Sequence, residues 1–154
     1  MTSENAREVF RAHREAQNKY TYFLLATAGA VIALAVNQTR GAALAWSQVP
    51  LAVAVLSWGL SFFVGTRHLQ YVSSTLYSNA DLLRVQSGQH PELGADPRVV
   101  AAASQGIRNA IEQNSERANR LGRWQFRFLV MGSVLYVVWH VLEMYLRGVS
   151  PRAR

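Results

Sequence analysis

Three stretches of this chain are nearly free of charge: Tyr20 to Val36, Val49 to Gly65, and Phe128 to Leu146, the last interrupted only by His140 and Glu143. Each lies at or near the roughly 20 residues that a helix needs to cross about 30 Å of hydrocarbon. A soluble domain of 154 residues lacks the polar remainder to cover three helices that are apolar on nearly every side. A cleaved signal peptide is the rival for the first stretch, but 19 mostly polar, helix-forming residues precede it and no small-residue cleavage pattern ends it before Asn37. The expected fold class is an all-α integral membrane protein of three long helices, each spanning the membrane and extending into a cytoplasmic helical bundle.

Charge supplies an orientation, because short loops rich in Lys and Arg stay cytoplasmic. Arg7, Arg11, Arg14 and Lys19 precede the first span and only Arg40 follows it, whereas Arg67, Arg84, Arg98, Arg108, Arg117, Arg120 and Arg123 lie between the second and third. This bias puts the N-terminus and the long connection inside and residues 37–48 outside, in a bacterial inner (plasma) membrane. Three spans leave the C-terminus outside, against the opposing pull of Arg147, Arg152 and Arg154. The chain has no cysteine, which excludes disulfides, thiol chemistry and Cys-ligated metals.

The expected organisation is a cytoplasmic amphipathic helix at 1–19, a first span at 20–38, an outer loop at 39–48, a second span at 49–66, a cytoplasmic helical hairpin over 67–125, a third span at 126–146 and an outer tail at 147–154. Ser3 offers a helix cap, and Ala6, Val9, Phe10, His13 and Ala16 follow at helical spacing, so one helix is predicted from about Ser3 to Gln38. Gly41 and Pro50 mark the outer turn. In the hairpin, Leu69, Val72, Leu76, Ala80 and Leu83 continue an apolar stripe, and SGQHPELGADP at 87–97 is the clearest loop. Asp96 and Pro97 then form a cap and first-turn pair, followed by a nearly heptad pattern of Val100, Ala103, Ile107, Ala110 or Ile111, Asn114, Ala118 and Leu121.

Three groups of residues are candidates for function. Tyr136, His140, Glu143 and Arg147 share one helix face within about 60°, a polar stripe down the outer half of span three. Ionisable groups within a span are costly and face water or a partner helix, so the stripe could line an oligomeric pore, fix helix registration, or meet the outer headgroups. Counted from Phe128, His140 lies about 18 Å and Glu143 about 22 Å along the helix, away from the midplane. Ala54, Ser57, Ser61 and Gly65 form a small-residue strip that lets helix backbones approach, within one chain or between copies; Ala26, Ala30 and Ala33 form a weaker one. Arg117, Arg120, Arg123 and Arg127 fall on one face just before span three, where anionic headgroups are the expected contact.

No catalytic, cofactor-binding or metal site is expected, and neither is an enzyme. There is no Gly-rich phosphate loop, no Ser-His-Asp trio and no metal-ligand cluster, and the four histidines are scattered. Arg7 to His13 and Arg84 to His90 match a loose Arg-x5-His spacing, with no second motif to complete a nuclease site. The cytoplasmic parts carry a surplus of only four basic residues and no aromatic-rich motif, which argues against nucleic acid.

The layout as a whole, a short N-terminal helix, a membrane hairpin and a cytoplasmic helical part, resembles the small transmembrane effector and accessory proteins of prokaryotic antiviral systems, both CRISPR and nucleotide-signalling. The third span departs from their two-helix pattern. The resemblance implies a homo-oligomeric pore-forming or membrane-permeabilising effector, controlled through its cytoplasmic helices by a protein or nucleotide-ligand partner. The alternative from a different class is a non-conducting membrane anchor or scaffold that binds a cytoplasmic partner.

Overall fold

The structure, a computed structural model, describes residues 3–40, 46–91 and 96–149. Its helices are α1 (Ser3–Gln38), α2 (Val49–Gln86) and α3 (Pro97–Val149), with one 3-10 turn at Trp46–Gln48. All three helices contain segments long and apolar enough to cross a membrane, and the described residues contain no strand. The side chains of Ala6, Val9, Phe10, His13 and Arg147 lie outside the described residues, as do Gly41 and the tail 150–154.

Local chemistry sets the helix ends. Pro50 is the second residue of α2, where its missing N–H costs nothing. At the other end Gly88 takes φ +68°, a conformation that only glycine adopts cheaply. The N–H of Gln89 then reaches the carbonyl of Arg84 at 3.0 Å and that of Gly88 the carbonyl of Val85 at 3.1 Å, a Schellman stop. Before α3, Asp96 Oδ1 accepts from the Arg98 N–H at 2.9 Å, so the cap read from Asp96 and Pro97 is present. Thr39 closes α1, donating from its backbone N–H and its hydroxyl to the Ala35 carbonyl.

Contacts divide the chain into two compact units. Unit 1 holds α1, α2 as far as Gly65 and α3 from Trp124; unit 2 is 66–123. These borders fall within two residues of the ends that hydropathy assigns to spans two and three.

Unit 1 is a three-helix bundle around Leu24, Ala28, Ala35, Leu51, Ala54, Trp58, Leu129 and Trp139. On α2 the inward positions Ala54, Trp58, Ser61 and Gly65 step by four, three and four residues. On α3, Gln125, Leu129, Gly132, Tyr136 and Trp139 do the same. That alternation is the seam of a left-handed helix pair. On α1 the weaker alanine strip takes no part in this packing within the chain. Ala26, Ala30 and Ala33 are exposed, and the inward face is Thr21, Leu24, Ala28 and Ala35. Ala28 lies about 200° around the helix from Ala26, so the alanine spacing marked the opposite side.

Unit 2 is an antiparallel hairpin. Its α3 arm turns inward Ser104, Ile107, Ile111, Asn114, Ala118 and Leu121, which follows the predicted heptad and chooses Ile111 over the exposed Ala110. Its α2 arm follows the expected stripe at Leu69 and Val72, both half-buried, and departs from it beyond. Val72, Thr75, Asn79, Leu82 and Val85 face in, while Leu76, Ala80 and Leu83 are exposed. The predicted stripe followed apolar residues, but the seam here is partly polar, with Asn114 donating to Ser74 Oγ at 3.3 Å.

Candidate functional site: the inner seam and aromatic end of unit 1

The small-residue strip of α2 is spent inside the chain. Ala54, Ser57, Ser61 and Gly65 are all buried. Ser57 returns its hydroxyl to the Val53 carbonyl at 2.8 Å, the usual way a helix absorbs a serine without a partner. Ser61 crosses instead, donating to the Gln125 carbonyl of α3 at 2.8 Å. One turn along α2 the Trp58 indole N–H donates to the Leu129 carbonyl at 3.3 Å. Two α2 donors thus meet α3 carbonyls four residues apart, which fixes the register of an antiparallel pair.

Glycines make that close approach possible, and they do so reciprocally. A Cβ at Gly132 would lie 2.5 Å from Trp58 Nε1 and 3.0 Å from the Ala54 carbonyl oxygen. A Cβ at Gly65 would lie 2.5 Å from Gln125 Nε2 and 2.9 Å from Leu25 Cδ2. Each helix therefore offers one large side chain and, seven residues away, one glycine that receives its partner's. Trp58 and Gln125 are both at least nine-tenths buried as a result. The Gln125 amide nitrogen has no hydrogen-bond partner there, a cost of roughly 1–3 kcal/mol for a buried polar group. Sequence reasoning missed Trp58, Gln125 and Gly132. The available signal was their seven-residue spacing, Trp58 to Gly65 and Gln125 to Gly132.

At the other end of unit 1 the predicted polar stripe has become an aromatic cluster. Tyr136 is half-buried, and its hydroxyl donates to Gln38 Oε1 of α1 at 2.7 Å. Its ring lies 5.7 Å from Trp58, 5.7 Å from Trp139 and, stacked, 6.4 Å from His140. Such ring pairs add about 0.5–1.5 kcal/mol each beyond the area they bury. His140 is exposed and Glu143 half-buried. Gln38 and Trp139 were absent from the predicted stripe. Trp139 is 8% exposed, with its indole N–H buried and unpartnered.

The four arginines are exposed. In unit 2, Arg117 lies over the Tyr71 ring at 6.0 Å. In unit 1, Arg127 lies over Trp124 at 5.2 Å, within reach of a cation–π contact at a helix surface. Within unit 2, His68 Nδ1 pairs with the Ala118 carbonyl at 2.7 Å and is packed beside Gly122, so it is part of the seam. Among the described residues, no group of three or more His, Cys, Asp or Glu side chains is placed to hold a metal ion.

Compared with known protein families, curated proteins and solved structures, the chain matches none.

Proposed function

We propose that this chain is a multi-pass membrane anchor: unit 1 is the membrane part, with the N-terminus cytoplasmic, and unit 2 is a cytoplasmic helical hairpin held at the bilayer surface to engage a partner. The observation that carries this is where the membrane part spends its polar groups. Ser57, Ser61, Trp58 and Tyr136 are all satisfied within the chain. Outward-facing positions are instead Phe23, Leu34, Leu56, Phe63, Val130, Val134, Val137 and Val141, which suit hydrocarbon and offer no wall for water. A non-conducting scaffold needs only this.

The pore-forming effector of the antiviral type is a second possibility with one observation in its favour. His140 is exposed beside the half-buried Glu143, so copies assembled around that edge of α3 would present ionisable groups to a shared axis. Inducing the protein in cells loaded with a voltage-sensitive dye separates the two. The anchor leaves the membrane potential unchanged. Depolarisation on induction that is lost in His140→Ala or Glu143→Ala, with membrane insertion intact, would sink the anchor and establish the pore.

A further inference from the structure

We infer that the exposed ridge of α2 is the surface through which two copies of this chain pair, in parallel, as a two-stranded coiled coil. This rests on the proposal that unit 1 is embedded in a bilayer, because copies that enter a membrane the same way pair side by side and in the same direction. In unit 2 the ridge is Leu69, Ser73, Leu76, Ala80 and Leu83, spaced by four, three, four and three residues. Leucine stands at every seventh position, with a small side chain between each pair. Beyond the half-buried Leu69 all of these are exposed, Leu76 at 38% and Leu83 at 67%. The ridge is the inward seam of Val72, Thr75, Asn79 and Leu82 displaced by one residue, about 100° around the helix, so the α3 arm leaves it open. In unit 1, α2 carries the same alternation of small and large at Ala52, Val55, Gly59 and Phe62, and a Cβ at Gly59 would meet nothing within 4 Å.

The spacing says what covers the ridge. A heptad of alternating small and large residues matches the knobs and holes of another helix, whereas acyl chains impose no such period. Leucine at each large position favours two parallel strands. In that arrangement every leucine meets its own counterpart, as do Ser73 and Ala80, so the patch fits itself as a two-fold contact demands. The small residues let the two backbones approach closely. Charge separates this face from its neighbour. No ridge residue is charged, whereas the exposed Arg117, Arg120 and Arg123 of the α3 arm would set like charges opposite one another across a two-fold axis. Arg84, beside Leu83, already has Asp81 of its own chain at 3.6 Å. Area is sufficient when the copies share a membrane. From Ala52 to Leu83 the ridge is about 47 Å long, and at a helix width of about 10 Å the two partners bury roughly 900 Å², close to the roughly 1,000 Å² of a biological interface. Confinement to one bilayer raises the effective concentration and offsets the shortfall.

The chain has no cysteine, so single cysteines report the contact without background. The test is oxidative cross-linking of the full chain in native membranes, read on a non-reducing gel. Ser73→Cys and Ala80→Cys are each expected to give a band at twice the chain mass, since a disulfide needs Cα atoms within about 7 Å. Asp81→Cys, turned away from the ridge, should stay monomeric. Leu83→Asp added to Ala80→Cys should lower the cross-linked fraction about tenfold, the loss of one leucine from the contact. Helicity by circular dichroism should not change with it, because Leu83 is exposed in the single chain. Absence of a cross-link at positions 73 and 80, equal cross-linking at 81, or cross-linking that survives Leu83→Asp overturns the pairing. Bands at masses other than twice that of the chain overturn the second copy in favour of a different partner. An alkaline wash of the same membranes keeps the two proposals apart. Protein released by the wash refutes membrane embedding itself, while protein that stays but gives no dimer band refutes only the pairing.

Discussion

Unit 1 and unit 2 use the same alternation of three and four residues along α2 and α3, yet they fill it with different chemistry. In unit 1 the seam is Ala54, Trp58, Ser61 and Gly65 against Gln125, Leu129 and Gly132, with glycines that receive large side chains. In unit 2 it is Val72, Thr75 and Asn79 against Ile111, Asn114 and Ala118, with a polar contact between Asn114 and Ser74. In hydrocarbon no hydrophobic force pulls helices together, so close backbone approach and interhelical hydrogen bonds must do so. In water, burial drives association, and a hairpin with few fully buried apolar side chains is only marginally held. Val85 and Ala118 are the described apolar side chains of unit 2 that are fully buried. The tighter packing therefore belongs to unit 1 and the sparser apolar core to unit 2.

The contrast can be broken most forcefully at Gly132. Gly132→Leu should prevent unit 1 from folding, and Gly132→Ala should cost about 1–3 kcal/mol through overpacking against Trp58, read as a lower melting temperature in detergent. Trp58→Phe added to Gly132→Ala should recover part of that loss; no recovery would show that the clash is not with Trp58. Gly65→Ala should cost less, about 1–2 kcal/mol, because its neighbours are the end of the Gln125 side chain and one Leu25 methyl, which can yield. Gln125→Met is expected to be neutral or stabilising by about 1 kcal/mol, since it removes an orphaned buried amide at similar volume. In unit 2, Asn114→Leu should slow hydrogen exchange of the hairpin severalfold while leaving unit 1 unchanged; a change in unit 1 of equal size would deny the separation.

The smallest effect is expected at Glu15 and Lys19, an exposed pair at 2.8 Å. The hydrogen bond from Lys19, and then its positive charge, hold the Glu15 carboxyl below its ordinary pKa. Any support this gives α1 is present above the unfolded carboxyl pKa and is lost as pH falls through the lowered folded value. Exposure and salt screening keep it slight. Lys19→Gln should thus lower helicity marginally at pH 7 and not at all in strong acid, by circular dichroism.

The later helix ends and the heptad of α3 were legible because each rests on a local signal: Pro50, Gly88 and the Asp96–Pro97 pair, then Ile107, Ile111 and Ala118 at seam spacing. Two regular patterns, Ala26, Ala30 and Ala33 in α1 and Leu76, Ala80 and Leu83 in α2, face outward from their own unit. In a span both faces are apolar, and in unit 2 polar residues enter the seam, so periodicity alone could not choose a side. The Trp58–Gly132 and Gln125–Gly65 pairs needed the antiparallel register as well, which no single helix records. Of the polar stripe, the shared face of Tyr136, His140 and Glu143 was legible from angular spacing, but Gln38 and Trp139 enter only through packing of α1 and α3.

The reciprocal pairing of tryptophan and glutamine with glycine also constrains heredity. An alanine arising at position 132 while Trp58 is intact would be selected against, yet the same alanine would be harmless in a lineage where position 58 had already shrunk. Positions 58 and 132, and separately 65 and 125, are thus expected to change together among descendants of this chain, each pair behaving as one inherited character.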